Sequence, residues 1–100
     1  MEDARAHRTE VHLPPDSPIT GEVLRRVREG LGLSLKEIEL RTKIGHWHLD
    51  SIEREKVKDL PAQVYLRGFL ISLARELRLD PVRVARSYLE QLRAKHPKAE

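Results

Sequence analysis

A chain of 100 residues, 39% hydrophobic and 35% charged, can bury one modest core and has little surface left for a deep cleft between lobes. It has no cysteine, which excludes disulfides, thiolate metal sites and a thiol nucleophile. It also has no window near the ~20 apolar residues of a membrane span and no apolar leader, so a cytoplasmic location is expected. The net charge of +3 is unevenly spread: −1 over residues 1–33, 0 over 34–56 and +4 over 57–100.

Residues 1–19, with Pro14, Pro15 and Pro18 and no sustained period, read as a flexible lead-in. Thr20 offers an N-cap hydroxyl to a first helix with Val23, Leu24, Val27 and Leu31 at helical spacing, ended by Gly32. Ser34-Leu35-Lys36-Glu37 is a capping box that opens a short second helix with Leu35 and Ile38 inward. Thr42 to Gly45 is a break, and a third helix runs from about His46 to Glu55 with Leu49 and Ile52 on its buried side. After a polar link, Pro61 suits the first turn of a fourth helix, Val64 to Leu77. That helix is apolar on most of its circumference, which predicts a central position, and Gly68 within it predicts a close helix approach. Asp80-Pro81 is a cap followed by a first-turn proline, and Val82, Ala85, Leu89 and Leu92 are expected inward on the last helix. The domain organisation is therefore a lead-in at 1–19, a five-helix all-α domain at 20–94 and a tail at 95–100.

The spacing of Leu35, Ile38, Ile44, Leu49 and Ile52 resembles the helix-turn-helix of the Cro/CI repressor superfamily. The continuation is more specific. Leu60-Pro61-x-x-Val64-Tyr65-Leu66-Arg67-Gly68-Phe69-Leu70, then Leu73-Ala74-Arg75 and Leu79-Asp80-Pro81, resembles the cytoplasmic helix-turn-helix domain of RodZ and its bacterial relatives over about Thr20 to Leu92. The resemblance implies a compact lambda-repressor-like domain that docks on the actin-like filament protein MreB and serves cell shape. It places the contact on fourth-helix aromatics, which match Tyr65 and Phe69 here. No membrane helix follows Leu92, so the expectation is either an excised domain of a membrane-anchored protein or a relative with another partner.

A DNA reader sets its second helix in the major groove and presents side chains matched to base edges. The candidates for that role are Lys43, His46, Trp47, Ser51 and Arg54, with a homodimer as the expected assembly. Against it, Asp50 and Glu53 are expected to turn negative charge towards the phosphates, and Ser34 to Lys56 sums to zero. Glu39 and Lys43 also stand where repressors commonly carry a small residue and a glycine. A protein interface is therefore preferred, anchored by Trp47, Tyr65 and Phe69 with Lys43, Arg54 and Arg67 around them. DNA is the alternative ligand.

Arg83, Arg86 and Arg93 fall close to one face of the last helix and read as a solvated stripe paired with Glu90; a phosphate, acidic or headgroup surface is the alternative. His46 and His48 lie two apart and point to different sides, so no metal site is expected. No nucleophile–base grouping or phosphate loop can be assembled, so neither catalysis nor a cofactor is expected.

Overall fold

Two hydroxyl caps and an aspartate fix where three of the helices begin. In the computed structural model, which describes residues 13–96, the Thr20 hydroxyl accepts a hydrogen bond from the Val23 amide at 3.1 Å and opens α1, Gly21–Gly30. The Ser34–Glu37 box closes in both directions, at 3.1 and 2.8 Å, and opens α2, Leu35–Thr42. Holding the Ser34 amide keeps the Glu37 carboxyl below its ordinary pKa. Helix α3 spans His46–Arg54, a 3-10 turn covers Val57–Asp59, and α4 spans Gln63–Glu76. Asp80 accepts from the Val82 and Arg83 amides and starts α5, Pro81–Lys95. No strand occurs among the described residues.

Lys43 makes the turn between α2 and α3 in the left-handed region, with φ of 65°, without the glycine that usually relieves a Cβ there. The Thr42 hydroxyl supports the turn by donating to the Ile38 carbonyl at 2.8 Å and accepting from the Ile44 amide at 3.1 Å.

The core joins Leu24 and Val27 of α1 to Ile38, Ile44, Leu49 and Ile52 of the helix-turn-helix. Leu66, Leu70, Leu73 and Leu77 from the α4 side and Val84, Ala85, Tyr88, Leu89 and Leu92 of α5 complete it. The buried Tyr88 hydroxyl donates to the Ile52 carbonyl at 2.7 Å. Burial pushes its phenol well above the ordinary range, and the nearby Glu55 carboxylate adds to the shift. Helix α1 packs on α3, α2 on α3 and α4, and α4 along α5.

Several expectations change. Pro61 stands ahead of the α4 cap, Ala62, not within the first turn. Helix α4 is not central: one face is buried while Val64 and Tyr65 are exposed. A Cβ built on Gly68 would meet nothing within 4 Å, so the close approach predicted there is absent. It lies instead at Gly21, where a Cβ would fall 2.3 Å from the Glu53 carbonyl oxygen and α1 crosses α3 backbone to backbone. Val82 faces solvent, and Val84 takes the inward position.

Residues 1–12 of the expected lead-in lie outside the described residues, but the part nearest α1 is tied to α5. Ile19 is buried, its amide donates to the Ser87 hydroxyl at 2.8 Å, and its carbonyl accepts from the Gln91 amide at 2.9 Å. Arg83 reaches back to the carbonyls of Pro14 and Ser17 at 2.6 and 3.0 Å, so it belongs to this strap and not to a solvated stripe.

Candidate interface on the third and fourth helices

The face that carries most of the predicted anchors is built from the α2–α3 turn, the start of α3 and one flank of α4. Gly45 precedes α3, and the Trp47 indole lies over it: a Cβ at Gly45 would meet the ring at 2.5 Å. Trp47 therefore rests on the turn and stays 60% exposed. Its ring is flanked by His46 at 5.5 Å between centroids and His48 at 5.7 Å, and His48 continues to Phe69 of α4 at 5.3 Å. Phe69 is half-buried against the core, and Tyr65, one turn earlier on α4, is 64% exposed. Four rings thus run from the tip of α3 to α4, with Tyr65 standing beyond them.

The spacing of the sequence did not reveal His48 as the ring that joins Trp47 to Phe69. Leu40 was also missed. It is an exposed leucine of α2 set among Lys36, Glu39 and Lys43.

The electrostatics differ from the expectation residue by residue. Glu53 does not face outward. Its carboxylate is buried against α1 and takes two hydrogen bonds from Arg28, at 2.6 and 3.0 Å. Ser51 is buried as well, with its hydroxyl donating to the Trp47 carbonyl at 2.9 Å, so it cannot contact a base edge. Asp50 is shared between Arg54 at 2.9 Å and Lys56 at 3.7 Å. Glu39, which occupies the place of a small residue, holds His46 Nδ1 at 2.8 Å and ties α2 to the start of α3; that bond keeps its carboxyl below the ordinary value.

Across the exposed side of α2 and α3, Lys36, Arg41, Lys43, Arg54 and Lys56 stand against Glu37, Glu39 and Asp50, and Arg41 is drawn to Glu76 of α4. Arg67, expected beside the aromatics, is on the opposite flank of α4 and faces a groove against α5. Among the described residues no three His, Asp or Glu side chains are grouped to hold a metal.

The profile of a helix-turn-helix domain family matches residues 23–84, which covers α2, α3 and α4 entire and most of α1. The chain belongs to that family. It is a helix-turn-helix domain of the RodZ type. Cytoskeleton protein RodZ of Streptococcus pneumoniae strain R6 is 38% identical over 68 residues, which is 68% of this chain and 25% of the relative. The chain thus spans about a quarter of that protein's length. The solved structure of YmfM from Staphylococcus aureus, an inferred DNA-binding membrane protein, superposes with a TM-score of 0.57 at 33% identity. The match covers 79% of this chain and 87% of that one. No helix among the described residues of the RodZ-type domain is long and apolar enough to cross a membrane.

Proposed function

We propose that this RodZ-type domain is a non-catalytic docking module whose α3–α4 face grips a cytoplasmic protein partner, an MreB-like cytoskeletal filament being the leading case. Trp47, Tyr65 and Phe69 are the anchors, and Lys43 and Arg54 form the rim. The observation that carries this reading is an exposed Trp47 joined through His48 to Phe69, with the exposed Tyr65 one turn from Phe69 on α4. An exposed aromatic packed between neighbours, as Trp47 is, gives up apolar area to a partner with little loss of side-chain freedom. Glu39 and Asp50 are already held by His46, Arg54 and Lys56, so the aromatics supply the anchoring contact and the lysines of α2 and its turn a charged rim.

Truncating such an anchor typically costs about 2 kcal/mol or more, roughly thirtyfold in Kd. Tyr65→Ala is expected to weaken capture of the purified filament protein by that factor while leaving the melting temperature unchanged, since the ring makes no core contact. Unchanged affinity in the folded variant contradicts the proposal.

A second reading, DNA binding by a homodimer, is favoured by the intact α2–α3 geometry and by the likeness to YmfM. Its contacts would come from Lys43, His46, Trp47 and Arg54. It requires duplex binding that falls steeply with salt, because phosphate contacts release counterions. Undetectable binding to random and genomic duplex at low salt removes it.

A further inference from the structure

On the flank of α4 away from the aromatics, the last two helices enclose an open groove. Arg67 and Gln63 line it from α4, and Arg86, Arg93 and Leu89 from α5. Arg86 and Arg93 are two helical turns apart on the same side of α5, about 10 Å along its axis, with Arg67 across from them. None of the three forms an ion pair among the described residues. Arg83 of α5 is instead spent on the Pro14–Ser17 strap, and the exposed Arg75 and Arg78, also outside any ion pair, do not line the groove. Glu90, expected to neutralise the stripe, is exposed and pairs with none of them. The lips of the groove are apolar, with Val64 76% exposed and Val82 58% exposed, and Leu89 lies buried at its floor.

We infer that the α4–α5 groove is a second docking site, separate from the aromatic face, for an acidic protein segment that also carries apolar residues. Guanidinium groups bind carboxylates through paired, parallel hydrogen bonds, and three of them left without partners call for a polyanionic occupant. The valine lips and leucine floor call for apolar side chains between the acids, the pattern of an amphipathic helix lying in a groove. An acid every seven residues on that helix would match Arg86 and Arg93.

The same chemistry disfavours the other polyanions. Single-stranded nucleic acid draws affinity from stacking on aromatic rings, and no ring lines the groove. A bilayer offers a flat surface, whereas these arginines flank a concave one, with no tryptophan or tyrosine at its rim to sit among headgroups.

The test uses the isotope-labelled domain and a synthetic helical peptide with glutamates seven residues apart and leucines between them. A peptide with glutamine for glutamate, phosphatidylglycerol vesicles and random duplex DNA serve as comparisons. The acidic peptide is expected to shift the backbone amides of Val64, Arg67, Val82, Arg86 and Arg93. The glutamine peptide should bind roughly tenfold more weakly, as lost charge-assisted pairs imply. An Arg86→Glu, Arg93→Glu variant, changed only at exposed positions, should keep its melting temperature and lose the shifts. Tyr65→Ala should bind the peptide as the parent does, which separates this site from the aromatic face. The inference is overturned if the acidic peptide leaves these amides unmoved, if the glutamine peptide binds equally well, or if vesicles or duplex move them and the peptide does not.

Discussion

Replacing Glu53 by glutamine removes one charge from a pair that joins α1 to α3. The two side chains are only 11% and 3% exposed, and the contact is bidentate, with Arg28 Nε and Nη2 each on a separate carboxylate oxygen. Arg28 also donates to the Leu33 carbonyl at 2.8 Å, so it cannot swing out to solvent without giving up that bond as well. Breaking a buried pair from one side strands the other charge and costs about 3 kcal/mol or more. In a domain of this size each kcal/mol moves the melting temperature by roughly 4–8 °C, so Glu53→Gln should melt at least about 12 °C lower.

Replacing both partners together, Arg28→Met with Glu53→Leu, removes the stranded charge and should recover most of the loss, because burying two ions is itself expensive. Thermal and urea unfolding of the two single variants and the double variant form the cycle. A loss below about 1 kcal/mol for Glu53→Gln, or a double variant as weak as the single, would show that the pair is solvated and that α3 is held by apolar packing alone.

Gly21→Ala should destabilise by more than a surface substitution does, since its Cβ would fall within 2.5 Å of the backbone carbonyls of Ile52 and Glu53; urea unfolding reads the loss. Lys43→Gly should stabilise by about 0.5–1 kcal/mol, because the left-handed turn at φ 65° carries a Cβ penalty there, and an unchanged urea midpoint would deny that strain. The Glu37 and Glu39 carboxyls are held below their ordinary 4.5 by hydrogen bonds made in the folded state. Their contribution is therefore full above pH 4.5 and is lost as pH falls through the lowered folded values. The melting temperature of the parent should drop more steeply over that window than that of a Ser34→Ala, His46→Ala variant.

Much of the fold is legible before any coordinates because its punctuation is chemical and local. A serine three residues ahead of a glutamate and an aspartate ahead of a proline satisfy orphan amides wherever they occur, and both start helices here. What periodicity cannot supply is the far side of a contact. Val82 and Val84 are equally apolar, and only the packing of α5 on α4 decides that the second is buried. Gly68 and Gly21 look alike in sequence; the backbone crossing that needs a glycine is set by how α1 meets α3.

The same gap explains the site. Glu53 and Asp50 are both acids on α3, but Arg28 lies 25 positions away in the chain and claims only the first. Counting charges along the segment gives a balanced sum, but with Glu53 internal the exposed cations of α2 and α3 outnumber the exposed acids. The aromatics of α4 were visible through the family pattern. The link from Phe69 to Trp47 through His48 depends on α2 seating α3 against α4.

Trp47 is the sole tryptophan of the chain and lies within the candidate interface, so its fluorescence reports docking without a label. Titrating the domain with the purified MreB-like filament protein of the same organism should shift the emission to shorter wavelength, with saturation, little dependence on salt, and loss in Tyr65→Ala. An emission indifferent to the filament but moved by duplex DNA, in a manner erased by added salt, would contradict docking through shape and give the face to nucleic acid.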